Sequence, residues 1–228
     1  MCKSLTPYML VLGPIVMMVG FIMSPDLEKL LGQEYLDEVK ALDMNMTILT
    51  IFITAIGVLM VFGGLFLLSQ DLMANSGKVQ RDLLLMSRIG FMFAFTIFYL
   101  FFALQLESIF IAQGENDVYA GDPALADEIA LDTHYMAESI WSSMPIAWGT
   151  ALILFGIAAV TGNNSPKESM EWAYGLPIIG GLAIISSFWV GYWFEGGFVL
   201  FLLALFCAVP IGVLMLTGHL KDTGADSD

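Results

Sequence analysis

Apolar and polar residues fall in blocks along this chain. Six apolar stretches stand at about 5–23, 44–69, 83–105, 143–162, 172–194 and 198–218. An α-helix rises 1.5 Å per residue, so about 20 apolar residues cross a hydrocarbon layer of about 30 Å. Each stretch is therefore expected to be a transmembrane helix. Lys3 precedes the first stretch as in a secretory signal. Met23-Ser24-Pro25-Asp26 offers no A-x-A-like cleavage site, so an uncleaved first span is expected. Gly13-Pro14 predicts a weak spot within it.

Two polar stretches carry helix signals of their own. Ser24-Pro25-Asp26 combines a capping hydroxyl, a proline suited to the first turn and an acid at the positive end of the dipole. It predicts an amphipathic helix over 25–42, with Leu27, Leu31, Tyr35, Val39 and Leu42 on one face. Asp122-Pro123 repeats the signal and predicts a second helix over 123–141. Ser165 and Glu168 form a capping box before the fifth span. Pro210-Ile211-Gly212 should bend the sixth, and Glu195-Gly196-Gly197 reads as a tight turn before it. The expected fold is a single-domain, all-α integral membrane protein: six transmembrane helices, with two extracytoplasmic amphipathic helices forming an acidic cap.

Charge sets the orientation. With the N-terminus inside, the inner side holds Lys3, Lys78, Arg81, Arg88, Lys167 and Lys221, and the outer side holds Lys29 and Lys40. Basic residues concentrate on the cytoplasmic side, so both termini are expected there, in a multi-pass protein of the cell membrane. Fifteen of the 22 acids then lie outside, eight of them in the interval 106–142, which has no Lys or Arg. Composition agrees: 58% of the 228 residues are hydrophobic and only 13% charged, with a mean hydropathy of +0.80. A soluble domain could not hide that much apolar surface. The net charge of −14 argues against a nucleic-acid partner, because phosphate binding needs clustered Lys and Arg. The bilayer, a membrane-protein partner or a second copy of the chain are the expected partners.

Candidate chemistry is sparse. On the 123–141 helix, Asp127, Leu131, His134 and Glu138 are expected on one side, with His134 and Glu138 one turn apart. Asp, His and Glu on one face could hold a divalent metal, but a solvated polar face gives the same pattern, so no metal site is assigned. Leu125, Ile129, Met136 and Ile140 make the expected docking face, with Asp132 amid them. A buried carboxylate needs a partner, and Lys29, Lys40 or a hydroxyl is expected to supply it. Thr47, Thr50 and Thr54 form a stripe at helical spacing in the second span. Such stripes mean close helix packing, or alternatively a permeation path. Arg88 sits about one turn inside the third span. It either snorkels to the interface or binds an anionic group. Glu195 is a further outer-side ion candidate.

The absences are informative. No span carries an acid in its middle third, and no Lys lies mid-membrane. No nucleotide-binding glycine motif and no nucleophile–base pair stands in the chain. Cys2 and Cys207 make no redox motif, and the 15 methionines read as apolar filler. No catalytic residue and no cofactor is therefore assigned. The expected role is a non-enzymatic accessory, scaffold or lipid- and ligand-binding membrane protein. The alternative is a small transporter or channel for an uncharged or cationic solute.

Overall fold

A computed structural model describes residues 5–25, 27, 30–74, 76–116, 118, 119, 121–161, 172–190 and 195–220. Among them the chain is helical throughout, with no strand: α1 Thr6–Met23, α2 Gln33–Ala41, α3 Met44–Met73, α4 Lys78–Ala112, α5 Pro123–Trp141, α6 Met144–Thr161, α7 Trp172–Val190, α8 Glu195–Phe206 and α9 Val209–Leu216. Five segments are long and apolar enough to cross a membrane: Thr6–Met23, Met44–Met73, Lys78–Ala112, Pro123–Thr161 and Gly197–Leu216. Trp172–Ser187 is a shorter apolar helix. Lys3, Lys29, Lys167 and Lys221, counted above for orientation, and the capping box Ser165/Glu168 lie outside the described residues.

The apolar helices close a ring: α1 packs on α3, α3 on α4, α4 on α6, α6 on α7, α7 on α8, and α9 returns to α1. Two seams are tight because glycines face each other's backbones. A Cβ on Gly13 would lie 2.8 Å from the Val61 nitrogen, and one on Gly149 would lie 2.8 Å from the Gly181 oxygen. In lipid, where burial alone does not drive helices together, such close approach supplies dispersion contact. Aromatic rings meet across the middle of the ring of helices. Phe62 of α3 lies 5.3 Å from Trp148 of α6 and 5.5 Å from Phe98 of α4. Trp148 in turn lies 5.8 Å from Phe201 of α8, which stands edge-on to Phe21 of α1 at 5.5 Å.

Several boundaries depart from expectation, each for a physical reason. α1 runs unbroken through Pro14. The outer helix expected over 25–42 is confined to Gln33–Ala41; Ser24-Pro25 does not start it. Gly32 interrupts the chain at φ 55°, a conformation natural to glycine, and its N–H donates to the Tyr135 hydroxyl at 3.2 Å. α3 runs four residues past 69 and α4 starts at Lys78, so the expected loop over 70–82 shrinks to the short stretch between Met73 and Lys78. The last span is two helices. Pro210 has no N–H to donate to the carbonyl of Phe206 four residues back, so α8 ends at Phe206 and Pro210 sits in the first turn of α9. Glu195-Gly196-Gly197 is the first turn of α8, not a free turn.

The largest departure is α4. The third span was expected to end at Gln105, yet the helix continues to Ala112, 35 residues in all. That is about 52 Å, well beyond a hydrocarbon layer. Its further turns join α2 and α5 in a second hydrophobic cluster: Tyr35, Leu36, Val39, Ile109, Ile111, Ala112, Ala126 and Ala130.

Candidate functional site

The densest polar geometry lies where α2, α4 and α5 meet. α5 starts as its cap signal predicts, with the Asp122 carboxylate accepting from the Leu125 nitrogen. Its buried face is Ala126, Ala130, His134, Ala137 and Trp141. The expected docking face is thus corrected. Leu125 and Met136 are 42% and 56% exposed, and Asp132 is exposed as well. Alanines let α5 lie close against α4, which larger side chains would hold off. Asp132 needs no ion-pair partner, because water solvates it. Lys40 pairs with Asp127 instead, at 2.7 Å.

His134, expected on a solvated face, is 1% exposed. Its ring stacks on Tyr35 with centroids 3.9 Å apart. Nδ1 lies 3.2 Å from the Gln105 amide nitrogen, which also donates to Glu138 at 3.2 Å. The ring also hydrogen-bonds the Leu30 backbone, which favours its charged form. With Nδ1 beside Gln105, Nε2 is the nitrogen left to donate to that carbonyl. Burial outweighs this bond and holds the His134 pKa below the usual histidine value.

Beside it runs a second chain of bonds. Ser108 donates to the Ala130 carbonyl at 2.7 Å, which uses its only proton. The Tyr35 hydroxyl, 2.8 Å away, must therefore donate to Ser108. Burial pushes the Tyr35 phenol up to about 12; the Ser108 bond opposes this and the charge of Glu138 adds to it. Gln113 closes the junction by donating to the carbonyls of Val39 and Leu42, at 2.8 and 3.0 Å, at the end of α2. Gln105, Ser108 and Gln113 carry no sequence motif; only their polarity along one helical continuation from the third span hints at them, while Tyr35 was expected only as part of the apolar face of the outer helix.

The junction fastens α2, α4 and α5 together. His134 is enclosed, stacked and hydrogen-bonded. Among the described residues no three His, Cys, Asp or Glu converge as metal ligands. Asp127 is turned to Lys40, while Glu138 shares the Gln105 amide with His134.

The remaining candidates lie elsewhere. Thr47, Thr50 and Thr54 are buried, and each hydroxyl donates to the carbonyl four residues back in its own helix, at 2.9, 2.7 and 2.9 Å. Thr54 faces Gly20 of α1, where a Cβ would strike the threonine. The stripe is thus a helix contact with its hydroxyls already bonded. Arg88 lies over the Phe66 ring, 4.1 Å from its centroid. Its two terminal nitrogens reach only the Met73 sulfur at 3.7 Å and the Gln70 amide oxygen at 3.4 Å, and its Nε is buried without a partner. Glu195 heads α8, and its side chain lies outside the described residues.

Comparison with known proteins finds no matching family model, no matching curated protein and no matching solved structure.

Proposed function

We propose that the chain is a non-enzymatic, multi-pass membrane scaffold or accessory subunit that presents an acidic extracytoplasmic cap to a basic or cationic partner. In this reading it crosses the cell membrane six times, with α7 as the short crossing and α8–α9 as a broken one. Both termini are cytoplasmic. α2, α5 and the last turns of α4 stand outside the bilayer.

One observation carries the reading. The buried polar groups of the junction are engaged with one another, while Glu34, Asp37, Glu38, Glu128 and Asp132 are exposed. Lys40 is the one Lys or Arg on the described parts of α2, α5 and the end of α4, and Asp127 neutralises it. An uncompensated acidic surface attracts cations and basic segments, and steers them inward at low ionic strength.

The test is crosslinking in native membranes followed by purification, comparing the natural chain with Glu128→Lys/Asp132→Lys. A partner retained by the natural chain and lost from the charge-reversed one is expected. Equal recovery from both, or no partner from either, overturns the reading.

The break between α8 and α9 favours a second reading, because irregular backbone within a span can line a solute site. Saturable solute uptake into liposomes that Thr50→Val abolishes would replace the scaffold by a small transporter.

A further inference from the structure

The face of α4 carrying Arg88 has a feature that neither the junction nor the acidic surface uses. Phe66, Leu85, Ile89, Met92 and Phe93 line a groove of about 400 Å³ beside Arg88. Leu85, Ile89, Met92 and Phe93 are 47–62% exposed, so the groove opens outward from the bundle.

Arg88 sits in this apolar wall with its charge unmatched. A guanidinium offers five N–H donors. Here its neighbours are a thioether and an amide oxygen, both at long range, and an aromatic face. Among the described residues no carboxylate pairs with it. A charge held amid apolar side chains needs a counter-charge or water. Arg81 lies two turns nearer the start of α4 on the same face, with Lys78 one turn further, and both are exposed. Arg88 is thus about 10 Å deeper along the helix than Arg81. The three cations form a stripe running into the groove, in a chain whose net charge is −14.

We propose that this groove binds an anionic phospholipid, its phosphodiester on the Arg88 guanidinium and an acyl chain along Leu85, Ile89, Met92 and Phe93. The phosphate supplies the acceptors that the guanidinium lacks, in the planar geometry that arginine suits best. The acyl chain meets exposed apolar side chains at the depth where lipid tails begin. Lys78 and Arg81 hold the headgroup region. The inference rests on the membrane-embedded reading above but not on the acidic surface or its partner.

The test is a titration of delipidated, detergent-solubilised protein with phosphatidylglycerol and, separately, phosphatidylcholine, read by native mass spectrometry. The natural chain should prefer phosphatidylglycerol, and Arg88→Gln should weaken that lipid by about tenfold or more, as loss of a charge-assisted bond does, with phosphatidylcholine unchanged. Arg88→Lys keeps the charge without the planar fork and should fall between them. A thermal melt of each variant checks that the fold persists. If Arg88→Gln does not fold, the preference of the natural chain and competition by inorganic phosphate decide alone. No preference between the two lipids overturns the proposal. So does an unchanged affinity in Arg88→Gln. Displacement of phosphatidylglycerol by millimolar inorganic phosphate would also overturn it, by making the site one for a free anion. None of these outcomes touches the crosslinking result for Glu128→Lys/Asp132→Lys, so the two readings fail separately.

Discussion

The imidazole of His134 lies nearly parallel to the phenol of Tyr35, their planes 17° apart and their centroids 3.9 Å apart. The contact joins α5 to α2, a helix of only nine residues. A helix that short does not hold itself together in water. α2 persists because Tyr35, Gln113 and the apolar face of Tyr35, Leu36 and Val39 fasten it to α4 and α5.

Tyr35→Phe should keep the stack and remove one hydrogen bond. Ser108 keeps its own bond to Ala130, so the loss should be about 1 kcal/mol. Tyr35→Ala removes the ring as well and should cost about 3 kcal/mol or more. Hydrogen exchange checks both: α2 amides should exchange faster in that order, while α1 and α3 stay protected.

Acid should loosen the same junction. Burial depresses the folded His134 pKa, so below about pH 6.5 the ring of an opened α5 takes a proton that the docked ring refuses. The open state then binds more protons, and docking weakens as pH falls. The slope is at most about 1.4 kcal/mol per pH unit, between the ordinary histidine value and the depressed one. The docking should be at full strength above pH 7. Exchange in α2 at pH 7.5 and pH 5, each divided by the intrinsic exchange rate of the unprotected amide at that pH, should rise on acidification in the natural chain and stay flat in His134→Phe. A flat profile in both would remove His134 as the titrating group.

The Lys40–Asp127 pair should contribute little, because its side chains are 40% and 31% exposed and solvent screens them. A double-mutant cycle with Lys40→Ala and Asp127→Ala should give a coupling below about 1 kcal/mol that fades in high salt. Asp132→Asn should be neutral within about 0.5 kcal/mol, since the carboxylate is exposed.

Within the bundle, Gly20→Val and Thr54→Val should differ sharply. The valine at 20 drives into Thr54 across the α1–α3 seam, an overpacking that costs about 1–3 kcal/mol or parts the two helices. The valine at 54 loses only a hydroxyl bonded within its own helix, a change of less than about 1 kcal/mol. Thermal melts in detergent should rank Gly20→Val well below Thr54→Val.

The apolar helices and the start of α5 were legible because their signals are local. Apolar run length marks a membrane helix, and Asp122-Pro123 is a self-contained cap. The end of α4 was not legible. Gln105 and Ser108 look like the polar edge of a loop, yet their polarity is directed at His134 and Tyr35, residues distant in sequence. The burial of His134 was hidden for a related reason. Large apolar residues on α5 pointed to the wrong face, because the face that docks is made of alanines, chosen for closeness rather than hydrophobicity. At Ser24-Pro25 a good local start lost to Gly32 and to the packing of Leu27 and Tyr35. The Arg88 groove needs the partner Phe66 from α3, which no spacing within α4 could announce.

The reach of α4 into both hydrophobic clusters has a consequence in time. A ribosome makes α2 long before it makes Ser108, Gln113 and His134. Until the last turns of α4 are made, the face of Tyr35, Leu36 and Val39 has nothing to cover it, and until α5 follows it is covered only in part. α2 must therefore wait, half packed, for residues far along the chain. Closure of His134 over Tyr35 marks the moment at which α2 acquires its final surroundings, and a chain cut short before the end of α4 would leave that apolar face bare to any passing chaperone or protease.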